Sequence, residues 1–243
     1  MATVLSQVPL LAGQDVYVDS TTQLMPLGTY METNDGRGFR YMKVGAVATV
    51  PGMAYQSSAL DATNLQPSGG LAVAAAAVGT NVVTITASIT LTANQLAGGY
   101  MSIDVTPGQG QLYKIKSNTA VSSAANCVVT LEDNIRVALT TASRCILTPN
   151  PYSGIVVDPG SATGCCVGVA HTIIAAGDYG WIQTKGAASC LFTGTGVAGK
   201  AVGLLTGGTS GSLAPAIAGT QIIGHNIATS ITGEYAFVQL TLS

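Results

Sequence analysis

Asn81-Val82-Val83-Thr84-Ile85-Thr86-Ala87-Ser88-Ile89-Thr90-Leu91-Thr92 alternates threonine with aliphatic and β-branched residues. Successive side chains of an extended chain point to opposite faces, so this spacing predicts a strand with one apolar and one hydroxyl-bearing face. The residue types suit a pleated, half-buried surface. Outward from it the same rhythm predicts strands at Tyr100 to Val105, Gln111 to Lys116, Cys127 to Leu131 and Cys145 to Leu147. Gly98-Gly99, Pro107-Gly108 and Asn118 separate them, residue types that favour turns. The Ala-rich run Leu71 to Val78 reads as linker with one helical turn, and Asn94 to Ala97 as a second single turn. Glu132 to Thr140 fits neither period.

Pro149-Asn150-Pro151 is a hard break. Beyond it, short Gly-bounded strands are expected at Ile155 to Val157, Cys165 to Ala170, Tyr179 to Lys185, Ala188 to Phe192, Lys200 to Leu205, Gln221 to Ala228 and Glu234 to Leu242. Strands at such close, regular spacing imply a sandwich or barrel. Upstream, Asp35-Gly36 reads as a turn into a strand over Phe39 to Val44, and a further short strand is expected around Val47 to Val50, before the Pro51-Gly52 turn. The fold class is therefore all-β. The expected organisation is an extended N-terminal arm at 1–37, a barrel or sandwich domain from 38–60 plus 152–243, and an inserted β-rich subdomain at 65–150. The arm carries Pro9, Gly13, Pro26 and Gly28 among short unpatterned apolar residues, and is expected to gain order by lying along a partner.

Composition narrows the function. Charged residues are 8% of the 243, against about 25% in an average globular chain. A membrane helix needs about 18 consecutive apolar residues, and Thr, Ser, Asn, Gly or Pro interrupts every run here. A membrane barrel would want aromatic girdles, which three Phe and one Trp supply poorly even beside nine Tyr. The remaining reading is a surface covered by other chains. Between Lys185 and Glu234 the only full charge is Lys200, and strands so bare of charge invite association. Net charge is −2 and the nine basic residues are scattered, with only Arg37, Arg40 and Lys43 clustered. No basic stripe exists to displace counterions, so direct nucleic-acid binding is not expected. Met1-Ala2-Thr3-Val4 reads as neither a basic nor a long apolar leader, and the five Cys form no regular framework. The expectation is reduced thiols, packed as small apolar residues in a chain made in a cytoplasm.

Chemical motifs are weak. Gly194-Thr195-Gly196-Val197-Ala198-Gly199 matches G-x-G-x-x-G, but Gly203, Gly207 and Gly208 deny it the following helix, and no acid occurs between Asp178 and Glu234. His171 lies near Asp178 and several Ser without a nucleophile motif, and reads as a hydrogen-bonded histidine. Adjacent Cys165 and Cys166 on a strand point apart and cannot chelate together. The carboxylates are scattered, with Glu132-Asp133 the one adjacent pair. No catalytic residue, metal ligand or cofactor is expected, and no enzyme activity. The densest contact-type residues are Arg37, Phe39, Arg40 and Tyr41, types favoured at interface centres; they form the candidate subunit or capsid interface.

Tyr30, the segment Asp35-Gly36-Arg37-Gly38-Phe39-Arg40-Tyr41-Met42-Lys43-Val44-Gly45-Ala46 and Pro51-Gly52 together resemble a stretch of tailed-bacteriophage capsid-associated proteins. Gly168-Val169-Ala170 and Ala176-Gly177-Asp178-Tyr179-Gly180-Trp181-Ile182-Gln183, with Lys185-Gly186, are similar to the small β-domain of capsid decoration, or cement, proteins. The resemblance implies a β-rich, trimeric virion protein seated on the capsid surface, partnered by the major capsid protein and by its own copies, and bracing the shell. It gives no counterpart for 65–150. The competing expectation is another virion component: a head fibre, tail tube or tail-fibre protein.

Overall fold

The computed structural model describes residues 15–59, 61, 63–122, 125–160, 163–204 and 207–242. Among them there is no helix, and the chain is all-β. The first strands are Tyr30–Glu32 (β1), Gly38–Val44 (β2), Ala54–Gln56 (β3), Leu71–Ala72 (β4) and Val82–Ala87 (β5). Tyr100–Val105 (β6), Leu112–Asn118 (β7), Ala125–Leu131 (β8), Arg144–Thr148 (β9) and Ser153–Val157 (β10) follow. The last are Cys166–Val169 (β11), Tyr179–Leu191 (β12), Ala201–Leu204 (β13), Leu213–Pro215 (β14), Ile222–Asn226 (β15) and Tyr235–Thr241 (β16). The chain divides into two compact units, Met1–Ala59 with Pro151–Ser243, and Leu60–Asn150.

In the Leu60–Asn150 unit the strands run β4-β9-β6-β7-β8-β5. An antiparallel bridge between Val73 and Ile85, with Ala74 N donating to Thr84 O at 2.8 Å, brings the two ends of that order together. The sheet thus closes on itself and leaves no long unpaired edge. Val83, Ile85, Met101, Ile103, Ile115, Val129, Leu131 and Leu147 fill the interior. They are the inward members of alternating strands: Val83, Ile85 and Ala87 are buried while Val82 and Thr86 face out. The first and last segments of the unit are also clasped, Leu147 N to Leu65 O at 2.9 Å and Gln66 Nε2 to Thr148 Oγ1 at 2.8 Å.

The other unit holds two rings of strands. In the first, β2 pairs in parallel with β10, β10 pairs with β3, β3 with β11 and β11 with β12. β12 then returns to β2, from Tyr179↔Lys43 to Lys185↔Gly38, which closes a five-stranded barrel. Met42, Val44, Tyr55, Ile155, Val167 and Ile182 share its core. In the second ring, β12 pairs with β16, then β15, β13 and β14 follow. A Phe192–Leu213 bridge brings β14 back to the end of β12 and nearly closes this ring. Its core includes Cys190, Phe192, Val202, Leu213, Ile223, Val238 and Leu240.

β12 therefore serves both rings, its first half against β2 and its second against β16. The sequence reading placed two strands here, Tyr179 to Lys185 and Ala188 to Phe192. The chain instead runs through, with a register shift between Gln183 and Lys185 and Gly186 at φ +86°. Glycine alone adopts that conformation freely, and a Cβ at 186 would sit 3.0 Å from Arg37 Cα.

Three further expectations are corrected. Leu71 to Val78 forms no helical turn: it supplies β4 and bridges Val73 to Ile85 and Ala76 to Leu139, because ladder pairing outweighs the helix preference of alanine. Asn94 to Ala97 forms successive turns, with Gln95 N bonded to Thr92 O and Ala97 N to Asn94 O, not a helix. Val47 to Val50 is irregular, and the strand lies at Ala54–Gln56 instead. Residues 1–14 of the expected arm lie outside the described residues. The rest of it packs on its own unit: β1 pairs with β2, Ser20 and Tyr179 exchange backbone hydrogen bonds at 2.9 and 2.8 Å, and Val16, Met25, Leu27 and Met31 cover Phe39, Tyr41 and Trp181.

Candidate functional site

The strand period puts Phe39 and Tyr41 on one face of β2 and Arg40 on the other. The face with Phe39 and Tyr41 is covered by residues 16–31, so the two rings are 0% and 2% exposed. Tyr41 meets Trp181 edge-on, with centroids 5.2 Å apart, and its hydroxyl accepts from Leu24 N at 3.1 Å. This corrects the expected interface: Phe39 and Tyr41 are core residues with no surface left for another chain. Arg40 is also spent largely within its own unit. It donates from Nη1 to Gly28 O at 2.8 Å and lies over the rings of Tyr30 and Tyr152. Arg37 keeps partial exposure, with Nε on Asp35 at 2.7 Å and its guanidinium over Phe39. The four residues do not form one contact surface.

Arg37 instead borders a cleft of about 400 Å³ together with Val50, Pro51, His171, Gln183 and Tyr235. His171 Nε2 lies 2.7 Å from Val16 O and donates to it, since the carbonyl can only accept. Nδ1 is then the unprotonated nitrogen; it is buried and without a partner. Burial, aided by Arg37 nearby, holds the imidazole below its usual pKa. No Ser or Asp side chain among the described residues is hydrogen-bonded to His171, so a relay of nucleophile, base and orienting acid is not assembled there. The described residues contain no group of three or more His, Cys, Asp or Glu able to hold a metal ion. Gly194 to Gly199 leads into strand β13, not a helix, so its backbone cannot cradle a dinucleotide in the manner the motif requires. All five cysteines are free, and burial pushes the Cys145, Cys166 and Cys190 thiols up to about 12. Such thiols are poor nucleophiles.

The outer face of the second ring is the feature the sequence reading did not localise. Along β16, Ala236, Val238 and Leu240 point into the core while Tyr235, Phe237, Gln239 and Thr241 point out. Tyr235 is 56% and Phe237 51% exposed. Ser189 on β12 flanks Phe237 on one side. On the other side Ile227, also exposed, donates its N–H to Phe237 O at 2.8 Å. Ala187 and His225 flank Gln239. These positions include no Lys, Arg, Asp or Glu. Val197, Ile217, Ile222 and Ile231 are exposed elsewhere in the same stretch of chain. One outward aliphatic is ordinary on any protein; here several stand exposed in a stretch of chain with two outward aromatics and little charge.

No protein-family model matches the chain. Comparison with curated proteins and with solved structures likewise gives no match.

Proposed function

We propose that this chain is a non-enzymatic structural protein of a tailed-bacteriophage particle. In this reading it is made in the host cytoplasm, assembles with its own copies as a trimer, and binds the outside of the capsid to brace major capsid subunits. The observation that carries the reading is the exposed, uncharged face around Phe237, Tyr235 and Ile227, in a chain with only 8% charged residues. Such a face is costly for a lone chain, because apolar area in contact with water favours association. Many repeats of one moderate contact around a closed shell give tight overall attachment through effective concentration. The resemblance of Asp35 to Ala46 to capsid-associated proteins gives the class of partner. Closed rings of strands suit a brace, since they leave few edges for unwanted pairing.

The test is co-sedimentation of the purified chain with expanded phage shells that lack it, alongside light scattering of the chain alone. Binding, a raised temperature of shell disruption and a trimeric mass are the expected results. Replacing Phe237 with Lys should weaken shell binding by about tenfold or more, as for a central aromatic contact. A chain that fails to bind shells, or that binds equally well as Phe237→Lys, would overturn the reading.

A further inference from the structure

Asp158 is 1% exposed, yet its Oδ2 has no hydrogen-bonding partner. Gln56, 1% exposed, leaves Oε1 in the same condition, and Ser212, 0% exposed, leaves Oγ. Backbone hydrogen bonds join Asp158 to Ala54 and Gly211, which lie close in sequence to Gln56 and Ser212. Asp158 N donates to Ala54 O at 3.0 Å, Ala54 N to Gly211 O at 2.8 Å, and Gly211 N to Asp158 O at 2.8 Å. Ser212 adjoins that ring of bonds. Gln56 lies two residues along β3 from Ala54, hence on the same strand face. Asp158 continues the β10–β3 ladder past Val157↔Tyr55, opposite Ala54, and so presents its side chain on that face as well. The Gln56 amide is held from its other end, where Nε2 donates to Thr163 Oγ1.

Among the described residues the carboxylate has no countercharge. The ion pairs among the described residues are Arg37–Asp35, Lys114–Glu132 and Lys185–Glu32. A backbone N–H from Gly160 supports it, and the neighbouring Cys166 thiol is held in its neutral form. An ionised carboxylate buried without a cation is strongly unfavourable, and unpaired buried oxygens add to the cost.

We propose that Asp158 Oδ2, Gln56 Oε1 and Ser212 Oγ bind one monovalent cation, Na⁺ or K⁺, inside the fold. All three donors are hard oxygens, which excludes thiolate-seeking metals. One carboxylate with neutral oxygens balances a single positive charge. A divalent ion would leave excess charge in the interior, and calcium calls for more oxygen ligands, usually several of them carboxylates. The cation ties β3, the end of β10 and the 211–212 segment, three stretches distant in sequence, through a contact that no side-chain pair supplies.

The experiment is thermal unfolding of the whole chain in NaCl, KCl and choline chloride at equal ionic strength, followed by the fluorescence of Trp181. The midpoint should be higher in one of the alkali salts than in choline by about 3 °C or more when the cation stands at roughly ten times its dissociation constant. Asp158→Asn, neutral and of the same shape, should show no such difference between salts. Equal midpoints for the unsubstituted chain in all three salts overturn the proposal, as expected for a protonated carboxyl. Thallium-soaked crystals give a second readout that needs no variant. Anomalous density against Asp158 Oδ2 supports the site. A bound water alone, or a direct hydrogen bond from the Gln56 amide to Asp158, overturns it.

Discussion

In the Leu60–Asn150 barrel the outward residues of β7 include Leu112, Lys114 and Lys116, around the buried Tyr113 and Ile115. In the ring of β12 to β16 the outward residues of β16 are Tyr235, Phe237, Gln239 and Thr241, around the buried Ala236, Val238 and Leu240. The inward sets are interchangeable in kind, because both must fill a closed sheet with apolar volume. The outward sets differ because nothing in the ring requires them. One carries ammonium groups that stay hydrated, and the other carries two aromatics and no charged residue of its own. The difference teaches that the inside of a strand reports the fold while the outside reports the surroundings in which the protein works.

That contrast can be broken most forcefully at two adjacent residues. Val238→Lys places an ammonium in the core beside Cys190 and Leu240 and should cost more than about 4 kcal/mol, unfolding the unit. Phe237→Lys, one residue away, should change stability by about 1 kcal/mol or less while raising solubility. Urea unfolding read by Trp181 and by circular dichroism compares them, and equal losses would show that the outward face is structural. Gly186→Ala should cost about 1–2 kcal/mol in the same assay, since the added Cβ meets Arg37 at a positive φ; a neutral result would mean that the switch of β12 between its two rings tolerates other backbone shapes.

A smaller, pH-dependent effect is expected at His171. Its folded pKa lies below the unfolded value of 6.5 because the ring is buried, so the unfolded chain takes up the proton first. Stability is then full above that value and declines as pH falls below it. Unfolding midpoints at pH 7.5 and 5.5 should differ more for the natural chain than for His171→Gln; identical slopes would place the histidine in contact with solvent. The smallest effect is Lys114→Ala, which removes an exposed pair with Glu132 and should cost about 0.5 kcal/mol or less by thermal melt. A larger loss would mean that the charged coat of this barrel is structural too.

The strand content was legible because period-two alternation is local. Val83 and Ile85 announce their inward face without reference to anything distant. Closure into rings was not legible, since it depends on pairings such as Val73 with Ile85 and β12 with β2 that join different stretches of chain. The same limit misled the reading of Phe39 and Tyr41. Alternation says that they share a face, but only the fold shows that Val16, Met25, Leu27 and Met31 cover it. Those four apolar residues, in a segment read as an arm, were the available signal. Phe237 and Tyr235 carry the reverse lesson: in a bare sequence they look like core, and only their register against Ser189 and Leu191 turns them outward. Gly186 looked like a stop between two strands because glycine marks both a break and a bulge, and composition cannot distinguish the two.

The clasp between Leu65 and Leu147 bears on the order in which the chain assembles. β3 must find β10 across the whole of Leu60–Asn150, and closing so long a flexible loop is slow. Once the inserted barrel has formed, its own first and last strands are fastened together, and the loop that remains between Gln56 and Val156 runs through residues 57–65 and 147–155 only. The shortening is worth about 1.5 kcal/mol of chain entropy, gained before the first native contact between β3 and β10 is made. On a ribosome this order is favoured, because Leu60–Asn150 is synthesised before β10 to β16.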